Sequence, residues 1–245
     1  MAAPTVSAGC AGPATRFAAV RLRAAPGRVW DNRFMTPQSK GLALALVCAT
    51  AVLGAGGALV WRQHASPQIE LATGTYLSPQ RALPDFSLID QHGQAFGPRS
   101  LDGHWSFMFF GYTNCPDFCP ATLATLAAME TKMRAAGAPI RPRVVFVSVD
   151  AKRDTPEQLA KYVPYFDPEF TGVTAADQKT IESVARKLGV AVAITPSADG
   201  ASYTVDHSGE IFVIDPRGKL AAVLTGPFTV DGLRADFQRI AAVDG

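Results

Sequence analysis

Beyond residue 83 the apolar positions alternate between short continuous runs and helical stripes. Phe107–Phe110 is short and fully apolar, the pattern of a strand buried on both faces. Residues 120–136 place Leu123, Leu126 and Met133 on one helical face, and Gly137 supplies a stop. Val144–Val149 is a second buried-strand run. Thr155-Pro156-Glu157-Gln158 joins a capping-box pattern to a proline at the first helical position, predicting a helix to about Phe166. A further helix starts near Asp177, with Ile181, Val184, Ala185 and Leu188 inward and Gly189 at its end. Ahead of all these, the segment Phe86–Phe96 (FSLIDQHGQAF) predicts two short strands around a His-Gly turn.

After Gly189 the pattern becomes strand-like. Val190–Ile194, Tyr203–Asp206, Ile211–Ile214 and Leu220–Leu224 are short runs separated by turn sequences such as Asp215-Pro216-Arg217-Gly218. A last helix follows Thr229, with Leu233, Phe237 and Ile240 inward. Strands alternating with helices, then antiparallel strands and a closing helix, predict an α/β sandwich with a mixed central sheet over residues 83–245.

Upstream the pattern differs. Gly41–Trp61 carries no charged residue, and a helix of about 20 apolar residues spans the roughly 30 Å hydrocarbon core. This predicts one transmembrane signal-anchor over residues 41–61. A cleaved signal peptide is the rival, but the run exceeds the usual apolar region of about 7–15 residues. Arg16, Arg21, Arg23, Arg28, Arg33 and Lys40 precede it against Asp31 alone, which orients residues 1–40 to the cytoplasm and the remainder outward. Residues 1–40 form an extension without usable period, expected to be disordered. Met35 opens a shorter signal-anchor and is a candidate start. Residues 62–82, with Pro67, Gly74 and Pro79, read as a linker.

A hydrophobic fraction of 48% with 18% charged residues fits a globular domain rather than a disordered chain. The net charge of +2, concentrated before the apolar run, gives no ground for a nucleic-acid partner.

Cys10 lies in the extension and Cys48 in the apolar run, which leaves Cys115 and Cys119 on the exported side. A disulfide between them would close too small a loop to add much stability. Phe109–Leu123 (FFGYTNCPDFCPATL) reads as the end of a buried strand, a loop and a helix start. Two prolines four apart put Cys115 on the loop and Cys119 at or near the helix N-terminus, where backbone amides and the helix dipole favour thiolate. Three intervening residues weaken a thioredoxin-type redox reading, and structural zinc wants four ligands. Two thiolates with one imidazole form a soft, low-coordinate set suited to copper, Cu(I) especially. For the imidazole there are four histidines: His64 at the expected membrane edge, His92 in a turn, His104 before the first buried strand, and His207 between two predicted strands. His207 can face the cysteine loop from the same end of the sheet, or serve as a structural histidine. Asp206 could orient its ring or be a turn residue.

The motifs YTNCPDFCP, DAKRDTPEQLAKYV, FTGVTA and YTVDHSGEIFVIDPRG occur in that order and together resemble the SCO/SenC family from about Leu83 to Ile240. The resemblance implies a thioredoxin-like fold on one membrane anchor, with copper, as Cu(I) and also Cu(II), held by Cys115, Cys119 and His207. It further implies a metallochaperone in the inner (cytoplasmic) membrane, its C-terminal domain in the periplasm, delivering copper to the CuA site of cytochrome c oxidase subunit II. A periplasmic copper donor and a thiol reductant are expected as further partners. A thiol-disulfide reductase acting on the CuA cysteines, with Cys115 and Cys119 as its redox pair, and a copper or redox sensor are the alternatives. Ala151 and Ala175 stand where the family often has proline and glycine, and neither touches an expected ligand.

Of the neighbouring residues, Met108 reads as strand core, and Phe107, Phe109, Phe110 and Tyr112 as core or site wall. Asp117 is a solvated loop residue or an extra oxygen ligand for Cu(II). Lys152 and Arg153 are a docking edge or a solvated face.

Overall fold

The computed structural model describes residues 48–51, 53, 54, 56, 57, 69–198 and 202–244. The chain divides into two compact units, Met1–His64 and Ala65–Gly245. In the first unit the described residues are helical. No helix among the described residues is long and apolar enough to cross a membrane. The expected extension over residues 1–40, much of the expected span Gly41–Trp61 and His64 lie outside the described residues.

The second unit runs β1 (Gly74–Ala82), β2 (Leu88–Asp90), β3 (Ala95–Phe96), β4 (Ser106–Gly111), α1 (Phe118–Ala135), β5 (Arg143–Ser148), α2 (Pro156–Tyr162), β6 (Thr171–Thr174), α3 (Gln178–Leu188), β7 (Val192–Pro196), β8 (Tyr203–His207), β9 (Ile211–Ile214), β10 (Lys219–Leu224) and α4 (Val230–Asp244). Eight strands form one sheet in the order β1-β10-β9-β4-β5-β6-β2-β3. β4 pairs parallel with β5 and antiparallel with β9, and β5 pairs parallel with β6, so the sheet is mixed as expected. All six residues of β4 are buried, which explains why its sequence shows no alternation.

The fold is thus a thioredoxin-like α/β arrangement with β4 in mid-sheet. Phe107 and Trp105 meet the α4 ring of Phe237 edge-on at 5.5 and 5.8 Å. Phe109 meets Phe118 of α1 and Phe146 of β5, each at 6.1 Å. These contacts fix α1 and α4 over the face that carries Phe107, Phe109 and Gly111. Local signals agree with the helix ends. Asp177 caps α3 by accepting from the Thr180 amide at 2.9 Å, and Gly189 ends it in the left-handed region at φ 82°. Thr155 accepts from the Gln158 amide at 3.3 Å at the start of α2, and a 3-10 turn over Val163–Tyr165 continues it to about the expected end.

Two elements differ from expectation. The segment read as linker contains β1, paired antiparallel with β10. Pro79 lies within a register shift between Tyr76 and Arg81 on this edge strand, the setting in which a sheet tolerates proline. The start of β1 is held by Asp236 of α4, fully buried, which accepts from the Ala72 amide (2.8 Å), the Thr73 amide (2.8 Å) and the Thr73 hydroxyl (2.6 Å). Second, β7 and β8 form a two-stranded ribbon outside the main sheet, with Val192 opposite His207. His207 therefore ends a strand instead of standing on a loop.

Candidate metal centre

β4 delivers its C-terminal end to the loop Tyr112–Asp117, and α1 begins at Phe118. Cys115 is half-buried on the loop, while Cys119 in the first helical turn is wholly buried. The Cys119 amide donates to Cys115 Sγ at 3.4 Å. The helix terminus therefore supports the sulfur of Cys115, the residue that precedes it. Cys119 behaves oppositely to the sequence expectation. Burial, reinforced by its hydrogen bond with Cys115, pushes its thiol far above the ordinary range, and the Tyr112 backbone offsets little of this.

Cys119 can lie so deep because Gly111 has no side chain. A Cβ there would sit 2.6 Å from Phe146 Cε2 and 3.0 Å from Cys119 Sγ. Cys119 Sγ lies 3.4 Å from His207 Nε2, across 88 residues of chain. His207 Nδ1 is 2.9 Å from the Ser208 carbonyl oxygen. A carbonyl can only accept, so Nδ1 is the donor in this contact and Nε2 is the ring nitrogen that faces the sulfurs. The ring is oriented by Ser208, and Asp206 points outward, exposed. The ligand-capable atoms of Cys115, Cys119 and His207 all lie within 4.8 Å of one another. No other such cluster occurs among the described residues. Asp117 is exposed ahead of α1 and outside the cluster, and neither His92 nor His104 joins it.

Three rings wall the imidazole: Tyr112 at 5.9 Å, Phe118 at 6.3 Å and Phe109 at 6.4 Å between centroids. Met108 is core, as expected. Phe118 is 45% exposed and forms an apolar lip. Its ring lies flush on Gly209, where a Cβ would approach to 2.5 Å.

Residues that sequence reasoning left as supporting motif hold this arrangement. Asp154, fully buried, accepts from the Thr113 amide (2.8 Å), the Thr113 hydroxyl (2.6 Å) and the Ser148 hydroxyl (2.6 Å). Burial raises its carboxyl despite these donors. Arg153, expected at a docking edge or on a solvated face, is instead ion-paired with buried Asp150 and stacked 3.9 Å over the Tyr203 ring. The RDT triplet was the available signal. Thr113 and Tyr203 lie 41 and 50 residues away from it, so those pairings could not be read from the triplet.

Soft sulfur and imidazole donors converging at a sheet end define a thioredoxin-like domain with a candidate metal centre. The chain belongs to the SCO1/SenC family, whose family model matches residues 74–242. It is 31% identical over 224 residues to the mitochondrial SCO2 homolog of Bos taurus, covering 88% of this chain and 82% of that one. The copper-bound crystal structure of Arabidopsis thaliana ScoI superposes with a TM-score of 0.61 at 33% identity, covering 65% of this chain and 98% of that chain. Copper-bound ScoI of Bradyrhizobium japonicum gives a TM-score of 0.57 at 32% identity, covering 65% and 99%.

Proposed function

We propose that this chain is a copper metallochaperone that binds the ion through Cys115, Cys119 and His207 and delivers it to the CuA site of cytochrome c oxidase subunit II. The observation that carries the reading is the convergence of two sulfurs and one oriented imidazole nitrogen within 4.8 Å. Family membership and the copper-bound relatives support the identity of the cargo. Soft donors in a low-coordinate set match Cu(I). Cys119 gives up a firmly held proton when it becomes a ligand, so loading releases protons and weakens as pH falls. Half-buried Cys115 is the entry side, where an incoming thiolate exchanges for it. The apolar run Gly41–Trp61 tethers the domain to the inner membrane, with the site on the periplasmic side.

The test is a Cu(I) titration against a competing chelator, with the detergent-solubilised full chain carrying Cys10→Ser and Cys48→Ser. One-to-one binding, lost in Cys115→Ser/Cys119→Ser and weakened in His207→Ala, is expected. Retention of parental affinity by the double serine variant would overturn the ligand assignment.

One observation favours a second reading, a thiol-disulfide reductase for the CuA cysteines. Cys115 is accessible with an amide on its sulfur and Cys119 is buried, the asymmetry of an attacking and a resolving thiol. His207→Ala separates the two readings, because it cripples copper retention and leaves thiol exchange largely intact.

A further inference from the structure

The inner face of β8 carries Tyr203, Val205 and His207, while Thr204 and Asp206 are exposed. A strand places alternate residues on one face, so what grips Tyr203 also sets the attitude of His207. The ribbon needs such a grip, because its ladder joins β7 only to β8. Tyr203 supplies it: its hydroxyl donates to Asp150 Oδ1 at 2.7 Å, and the Arg153 guanidinium stacks on its ring at 3.9 Å. Arg153 Nη1 also donates to the Tyr203 carbonyl at 3.3 Å, and Nε pairs with Asp150. Arg153 extends to the Tyr112 ring as well, at 5.8 Å, and Tyr112 in turn walls His207. One residue further along, Asp154 holds Thr113 of the cysteine loop.

We infer that the turn 150–154 is a two-sided brace fixing the spacing of the cysteine loop and the histidine ribbon, with Arg153 and Tyr203 as positioning residues for His207. The inference rests on the proposed copper site and assigns the control of its third ligand. Asp154 grips the loop through Thr113, and Asp150 with Arg153 grips the ribbon through Tyr203. Both grips lie in one short stretch directly after β5, so neither half of the site can shift without straining the other.

The test uses the same full chain with Arg153→Leu and, more gently, Tyr203→Phe, which removes one hydroxyl. Each is made with His207 present and in the His207→Ala background. Two readouts are taken: Cu(I) affinity, and amide hydrogen exchange of the copper-free protein. Arg153→Leu is expected to weaken copper binding by about tenfold when His207 is present. In the His207→Ala background the same change costs less than about twofold, since the grip then has no ligand to position. Tyr203→Phe moves in the same direction by less. Exchange quickens in β7 and β8 while β4 and β5 stay protected. Equal losses in both backgrounds, or exchange unchanged in the ribbon, would overturn the brace. Should the parent bind copper no better than His207→Ala, the copper reading fails. The exchange data then decide the brace alone: quickening confined to the ribbon supports it, and unaltered exchange removes it.

Discussion

Asp154 receives both the amide and the hydroxyl of Thr113, at 2.8 and 2.6 Å, two residues ahead of Cys115. A buried carboxylate thereby holds the cysteine loop by its root. Asp154→Asn keeps the shape but turns one acceptor into a donor that faces donors. The expected loss is about 1–3 kcal/mol in urea unfolding, with faster alkylation of Cys115. Unchanged stability would mean that the loop is held elsewhere.

The two sulfurs should react in a fixed order. Cys115 is accessible and supported by the Cys119 amide, whereas Cys119 is buried and holds its proton firmly. Limiting iodoacetamide at neutral pH, followed by peptide mapping, is expected to label Cys115 first and Cys119 only after unfolding. Equal labelling would show that Cys119 is more open than its burial implies.

Gly111→Ala forces a methyl group against Phe146 and Cys119 Sγ, both in the packed core. Overpacking of this kind costs about 1–3 kcal/mol. Because the obstacle includes a proposed ligand, copper affinity should fall together with stability. A variant that loses stability at full affinity would show that Phe146 alone gives way.

Glu130 gives a pH signature independent of the metal centre. It is buried on α1, paired with Arg141 at 2.7 Å, and burial raises its carboxyl above the ordinary range against that pairing. A raised acid binds its proton more tightly folded than unfolded. Its contribution to stability is therefore full below the unfolded value and is lost as pH climbs through the folded one. Glu130→Gln is expected to remove that decline above about pH 4.3, seen as a flatter curve of Tm against pH. Parallel curves for the two proteins would contradict the raised value.

Buried runs and helix caps were legible because each is local. Phe107–Phe110, Val144–Val149, the cap at Asp177 and the stop at Gly189 carry their physics within a few residues. The cysteine pair was legible as chemistry, His207 was singled out from four histidines by the family resemblance, and the fold brings their atoms together. β1 was not legible: its exposed edge imposes no alternation, and Pro79 reads as a break. Nor was the burial of Cys119, which depends on Gly111 of β4 and Phe146 of β5. The amide at the start of α1 is directed to Cys115 Sγ while Cys119 itself is buried, a placement set by the path of the loop and not by residue spacing. Asp206 lost its suggested role to the Ser208 carbonyl, since strand alternation turns residue 206 outward while 207 faces in.

The grip of Asp236 on Ala72 and Thr73 has a mechanical consequence. The described domain begins at residue 69, and its first residues are held by this clamp and the β1–β10 ladder. Asp236 and the ladder thus tie the first residues of the domain to both α4 and the sheet edge. β10 and β9 stand between this edge and β4, so the strand that leads to the cysteines shares no hydrogen bonds with β1 and meets the clamp only through the packing of Phe237 on Phe107. The donor atoms therefore stand three strands in from the edge at which the described domain begins.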